Sequence, residues 1–345
     1  MPQCSATNPV LTTGEIARRL GARLDGPDDR QITRLAPLTD ADPESLSFVT
    51  DPDRHARALA DSRAGAILAP GECRVAGATV AAWLIVPDVY LAYARASRWW
   101  GEPRRVRDGG VHPSAVVDPS ARIDPQAWIG PGVVIGAGSS VGPRSVIEAQ
   151  GVIGARVRIG ADAFLHPRVT LLEDSRIGDR VILHSGVVLG ADGFGFAPDA
   201  GAWCKIEQLG GVRVGDDCEI GANTTVDRGA LRDTRIGVGV KIDDQVHVAH
   251  NVEIGDHTAI AGCVGIAGSA RIGRHCAIGG GAGILGHLSI TDHVTIHSMT
   301  LVTRSIKRSG HYASGVPHQE ARLWNRMLAR LRRLARTDGT SVRGE

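Results

Sequence analysis

Large aromatic side chains are scarce in this chain, whose 345 residues include only four Phe, three Tyr and six Trp. A core built on packed rings is excluded over most of the length, so small and β-branched side chains must supply the packing. No CxxC pair occurs among the six cysteines at positions 4, 73, 204, 218, 263 and 276. Neither a zinc knuckle nor a disulfide framework is indicated, and the thiols read as reduced. There is no run of about 18 apolar residues, which gives no transmembrane span. The amino terminus, MPQCSATNPV, has no basic segment leading into an apolar one, so a soluble, cytoplasmic protein is expected. A large excess of charge is also missing: the formal net charge is +2, which gives no electrostatic case for binding nucleic acid.

Glycine, by contrast, is abundant, with 44 residues. From Val111 an aliphatic residue recurs at every sixth position through Ile129, Ile135, Ile153 and Leu171 to Leu189, fourteen hexads without a break. Glycine often follows it, as in Ile129-Gly130 and Ile177-Gly178, which suits a tight turn beside an inward aliphatic side chain. The phase resumes at Val214, Ile220 and Val226, slips by four residues, and runs from Ile236 to Val302, for twenty-nine hexads in all. Three short strands per coil give coils of about eighteen residues stacked by parallel pairing. The fold class is therefore mainly β, a parallel β-helix of hexapeptide repeats. Cys218 and Cys276 both fall at the fifth position of a hexad, where a small buried residue fits.

The repeat divides the chain. Residues 1–105 lack the period and read as a small α/β domain, with Thr12 and Glu15 as a capping box for a helix carrying Ile16, Leu20 and Leu24. SLSFV and GAILA read as its strands, and Pro103 to Gly110 as the junction. The β-helix domain spans 106–308 with an inserted loop at 190–213. Residues 309–345 form a carboxy-terminal loop and helix, in which Leu323, Met327, Leu328, Leu331 and Leu334 fall at helical spacing.

Keeping the eighteen-residue register places chemistry. His250 is third in its hexad, and the positions one and two coils on are Gly268 and Gly286, with His287 beside the latter. A histidine flanking a stripe without side chains is suited to an extended thioester. Neutral imidazole can take a proton from an attacking amine or hydroxyl, and a glycine N–H can meet a developing oxyanion. A solvated turn histidine has the same spacing. His257, His275 and His293 share another register position and read either as a metal ladder or as exposed turn residues. His247 is ambiguous in the same way. The insertion GADGFGFAPDAGAWCKI, extruded from a regular solenoid, is expected to border a site. Its glycines lack the strand-to-helix setting of a dinucleotide fingerprint.

GADGFGFAPD, NTTVDRGAL at 223–231, HVAHNVEIGDHTAIAG at 247–262 and GHLSI at 286–290 together resemble the UDP-3-O-acylglucosamine N-acyltransferases of lipid A biosynthesis, over nearly the whole chain. The resemblance implies a left-handed β-helix and a homotrimer. It implies transfer of a 3-hydroxyacyl group from acyl carrier protein to the glucosamine 2-amine of a UDP-acylglucosamine, with no metal or organic cofactor because the thioester arrives activated. It further implies that His250 is the general base, that His287 assists in binding or polarisation and that Gly268 supplies an oxyanion N–H. His247, Asn251 and Arg304 are implied to contact substrate. The amino-terminal unit is implied to hold uracil against Phe48. Asp51 and Arg54 stand where the family commonly has Asn and Tyr, so Arg54 or His55 would meet the base's second face. As a residue, Phe48 has the alternative reading of a core side chain. Arg322, Arg326, Arg330, Arg332, Arg333 and Arg336 on the final helix read as a solvated face, or, by the resemblance, as a surface for the acidic carrier. Two other readings of the repeat stand beside this one: a related β-helix O-acyltransferase acting on a UDP-sugar, and a zinc hydratase or non-catalytic scaffold.

Overall fold

Alternation along one four-residue strand organises the amino-terminal unit. In the computed structural model, which describes residues 9–71, 80–101, 107–315 and 317–337, Ala66 and Leu68 point to one face of a sheet while Ile67 and Ala69 point to the other. The first face packs on Ile16 and Ala17 of the helix Thr13–Leu20 and on Val89, Ala92, Ala96 and Trp100 of the helix Val89–Gly101. The second packs on Leu59 of the short helix Ala56–Asp61. Period-two side-chain direction thus builds a three-layer α/β unit from one sheet. The strand order is 23–25, 82–85, 66–69, 45–48, 34–35, parallel except for the antiparallel pair Arg23–Asp25 with Trp83–Ile85.

The capping box forms as its sequence indicates: Glu15 N–H donates to Thr12 Oγ1 at 3.1 Å, and Thr12 N–H donates to Glu15 Oε2 at 2.9 Å. The helix is shorter than its apolar spacing suggests. Gly21, left-handed at φ 64°, closes it, so Leu24 belongs to the following strand, paired with Leu84. Residues Met1–Val111 and Pro125–Ile129 make up this unit, and His112–Asp124 with Gly130–Glu345 the other. Cys4, Cys73, residues 102–106 of the expected junction, and the side chain of Arg336 lie outside the described residues.

The second unit is a parallel β-solenoid. Its strands are mostly two residues long and pair with the strand eighteen residues away, as in Val134↔Val152 and Ile135↔Ile153, except across the insertion, where the separation is 37 (Ile177↔Val214), and across the slip, where it is 22 (Val226↔Val248). One sheet runs from 116–117 to 301–302, another from 122–123 to 289–290, and a third reaches 310–312. The periodic aliphatics Ile135, Ile147, Ile153, Leu165 and Leu171 are fully buried. So are most of the fifth-position side chains, including Cys218 and Cys276. Where the fifth position is Ser139, its hydroxyl donates to Gly154 O at 2.7 Å and accepts from Val157 N–H at 3.0 Å, stitching one coil to the next.

Most corners from Gly132 onward take a left-handed residue. Arg144, Gln150, Arg156, Asp162, Arg168, Asp174 and Arg180 all have φ between 55° and 65°, a conformation unfavourable for residues with a Cβ. Paired charges one coil apart offset it: Arg144 to Asp162 and Arg156 to Asp174 are bidentate. These arginines hold both carboxyls below the usual carboxylate range, chiefly by hydrogen bonding.

Two segments break the period. The insertion after Leu189 leaves through Gly190 (φ 94°), forms the hairpin Phe196–Asp199 with Ala202–Lys205, and returns at Val212. Its two-residue turn has positive φ at both Ala200 and Gly201. The second break is the 229–234 segment, the four-residue slip. After the last coil the helix Ala321–Thr337 carries exposed Leu323, Trp324, Leu331 and Leu334. Among the described residues no helix is long and apolar enough to cross a membrane.

Candidate active site

Both breaks in the repeat converge on His250. This half-buried residue follows the strand His247–Val248, and its neighbour Asn251 takes the left-handed corner at φ 61°. The 229–234 segment holds Asn251 on three sides. Ala230 N–H donates to Asn251 Oδ1 at 3.0 Å, Asn251 Nδ2 donates to Arg232 O at 3.0 Å, and Thr234 Oγ1 accepts Asn251 N–H at 2.8 Å. Gly229 is required there, since a Cβ on it would lie 1.6 Å from Arg232 O.

These bonds fix which end of the Asn251 amide is oxygen. That oxygen lies 3.1 Å from His250 Nδ1, so Nδ1 must carry the hydrogen and Nε2 presents its lone pair. Asn251 therefore orients the imidazole.

Nε2 projects over Gly268. A Cβ added to Gly268 would stand 2.7 Å from both Nε2 and Cε1 of His250, and one on Gly286 would stand 3.0 Å from Gly268 O. The register expected from counting is the one observed: Ser269 N–H donates to His250 O at 2.9 Å and His287 N–H to Gly268 O at 3.0 Å. The Gly268 N–H has no acceptor among the described residues, as an oxyanion donor requires. The insertion covers the ring from the other side. A Cβ on Gly193 would lie 2.5 Å from His250 Cβ and 2.9 Å from Cδ2. Arg228 anchors the stem of this loop: its guanidinium is almost wholly buried, donates to Gly190 O and Glu173 O, and pairs with Glu173 Oε1 at 2.9 Å.

The other residues singled out in the sequence lie as follows. His247 is exposed, with Nδ1 2.9 Å from Thr225 Oγ1 and Nε2 3.7 Å from Asp227 Oδ2. Asp227 is nearly buried, and desolvation raises its pKa against the opposing charges of His247 and His250. His287 is exposed at a left-handed corner. Arg304 is exposed after the last coil. In the amino-terminal unit Phe48 stacks on Tyr93 with centroids 4.1 Å apart and joins the partly buried rim of the core. Asp51 Oδ1 accepts Arg54 N–H at 3.1 Å in the turn after that strand, with Arg54 and His55 exposed. His257, His275 and His293 stack face to face at 5.2 and 5.1 Å, a geometry that sets their nitrogens side by side rather than around a point. A groove of about 590 Å³ lined by Lys241, Asp243, Ala259 and Ala277 does not include His250.

Sequence reasoning missed Asp227, Arg228 and Gly193. Asp227 and Arg228 sit in NTTVDRGAL, and only the fold turns them toward His250 and the loop stem.

Comparison with known proteins bears on this geometry. Residues 29–99 match the family model for UDP-3-O-(3-hydroxymyristoyl) glucosamine N-acyltransferase, LpxD. Residues 156–191 match the bacterial transferase hexapeptide model and 201–228 the hexapeptide repeat of succinyl-transferase. The chain is 50% identical over 326 residues to the UDP-3-O-acylglucosamine N-acyltransferase of Pseudomonas syringae pv. tomato, covering 94% of this chain and 92% of that one. It is 53% identical over 325 residues to the enzyme of the same name from Pseudomonas fluorescens, with the same coverage. Among solved structures, the Arabidopsis UDP-N-acetylglucosamine acyltransferase overlays with a TM-score of 0.53 at 20% identity, over 59% of this chain and 71% of that one. That likeness concerns the fold alone.

Proposed function

Because this chain belongs to the UDP-3-O-acylglucosamine N-acyltransferase family, we propose that it transfers a 3-hydroxyacyl chain from acyl carrier protein to the 2-amino group of UDP-3-O-(3-hydroxyacyl)glucosamine, giving the UDP-2,3-diacylglucosamine of lipid A biosynthesis, with His250 as general base. The chain is an acyltransferase, and the finer assignment rests chiefly on one observation. His250 Nε2, left unprotonated by the Asn251 clamp, projects over a glycine with an unused N–H.

The chemistry follows from that arrangement. The amine attacks the thioester carbonyl while Nε2 takes one N–H proton, so a C–N bond forms and the carbonyl oxygen becomes anionic. Gly268 N–H donates to that oxygen. Collapse breaks the C–S bond, and the imidazolium returns its proton to the departing thiolate. The glycine stripe lets the acyl chain lie against backbone, and His287, one corner beyond, polarises or binds the donor. His247 and Asn251 border the acceptor.

Each unit takes a share in this reading. Residues 1–105 hold the uridine, with Phe48, Asp51 and Arg54 around the base. The solenoid at 106–308, with its 190–213 loop, carries the transfer. Residues 309–345 receive the acidic carrier in a cytoplasmic homotrimer, and Arg304 contacts substrate. The deciding assay is acyl transfer from 3-hydroxyacyl carrier to UDP-3-O-acylglucosamine and, in parallel, to UDP-N-acetylglucosamine. The His250→Ala variant is expected to lose roughly 1,000-fold in kcat with an unchanged melting temperature. Full transfer by that variant, or wild-type turnover of the N-acetyl substrate only, would refute the assignment.

A further inference from the structure

The strand Thr225–Asp227 ends beside the stem of the insertion, where Asp227 pairs in register with Ala191 across an irregularity in the ladder. The next residue, Arg228, is committed to Glu173 and Gly190. Asp227 has only a long ion-pair contact with His247. Its side chain is 10% exposed, and among the described residues neither carboxylate oxygen accepts a hydrogen bond. His247 Nε2 lies 3.7 Å away, beyond hydrogen-bond reach, and Thr225 Oγ1 lies against that ring's other nitrogen. Asp192 adds a like charge and is itself paired with Lys205.

The Asp227 carboxylate oxygens are not sealed from solvent, and a largely covered carboxylate with open oxygens and no donor can take one from a ligand. Thr225 and Val226 of its strand pair with His247 and Val248, the strand that leads into His250, so Asp227 lies one coil from the base and beside the insertion stem.

We propose that Asp227 is the amine-recognising subsite. Its carboxylate receives an N–H of the acceptor's 2-amino group, which bridges Asp227 and His250 Nε2, and this contact selects nitrogen over oxygen as nucleophile. The inference rests on the amine-acceptor reading above. A neutral amine brings two hydrogens, one for Nε2 and one for the carboxylate. The second stays on nitrogen throughout: the C–N bond forms, the first proton passes to His250 and then to the leaving thiolate, and Asp227 ends hydrogen-bonded to the new amide N–H. A hydroxyl brings a single hydrogen. Once that points at Nε2, its oxygen lone pairs face the carboxylate, which repels them.

The test measures binding of UDP-glucosamine and UDP-glucose by calorimetry near neutral pH, together with transfer to UDP-3-O-acylglucosamine. Wild-type protein is expected to bind the amino sugar at least about tenfold more tightly. In Asp227→Ala that preference disappears while UDP-glucose affinity stays within about twofold, and kcat/KM for the amine acceptor falls roughly 100-fold. Asp227→Asn, which keeps one acceptor oxygen but no charge, falls between. Equal or undetectable wild-type affinities overturn the proposal without any variant having to fold. So does an Asp227→Ala protein that keeps its preference, or one that loses affinity for both sugars alike. Failure of the parent reading looks different: wild-type protein would bind the amino sugar preferentially yet transfer no acyl group to its nitrogen.

Discussion

Gly268→Ala is the most demanding test of the geometry, because it adds a single methyl group to a backbone that tolerates it. Gly268 does not occupy the left-handed region, so alanine introduces no backbone strain. The new Cβ would, however, lie 2.7 Å from His250 Nε2 and Cε1, about 0.8 Å inside an ordinary contact of ~3.5 Å. The imidazole is held from behind by Asn251 and beside Gly193, so it cannot retreat without breaking the Nδ1 hydrogen bond. A displacement near 1 Å at a catalytic group costs roughly 100-fold, or about 2.7 kcal/mol in the barrier. The methyl group also covers the N–H offered to the oxyanion. Steady-state acyl transfer should therefore show kcat lowered about 100-fold, with a melting temperature within about 1 °C of wild type. Gly265→Ala, three residues earlier in the same coil, is the control, since its Cβ would meet nothing within 4 Å. Gly268→Ala activity within threefold of wild type would refute the placement of the base over this glycine.

Three further outcomes are expected. Asn251→Ala removes the acceptor on His250 Nδ1 and frees the tautomer, so kcat should fall about 100-fold with KM nearly constant; a pure KM effect in the same assay would make Asn251 a substrate ligand instead. Arg228→Met leaves the carbonyls of Gly190 and Glu173 without donors and should cost about 2–3 kcal/mol in urea unfolding, discounted for the partly exposed Glu173 carboxylate; a loss below about 0.5 kcal/mol would contradict the clamp. Burial pushes the Cys218 thiol up to about 11 and also raises Cys276, so both are held back from the thiolate form relative to an exposed cysteine. Alkylation near pH 8 followed by peptide mass spectrometry should label exposed Cys204 and Cys263 and spare the buried pair.

The period of six was enough, by itself, to determine the solenoid, its parallel register and the stacking of Gly268 and Gly286 on His250, because every coil repeats the same short-range contacts with the coil before it. It also ordered His257, His275 and His293 into one column. The capping box was legible for the same reason: Thr12 and Glu15 are three residues apart. What escaped the sequence lies where the chain leaves its period. Leu24 kept helical spacing past Gly21, yet a left-handed turn moved it into a strand, and the ring that meets Phe48 belongs to Tyr93, 45 positions away in the chain. Around His250 the insertion and the 229–234 segment supply Gly193, Ala230 and Arg232, and the strand between them supplies Asp227. Hexad arithmetic carries no information about the path of an aperiodic loop. Only the tertiary structure could therefore assign Nε2 as the free nitrogen, show Asn251 as its clamp, and set beside it a largely covered carboxylate that accepts no hydrogen bond.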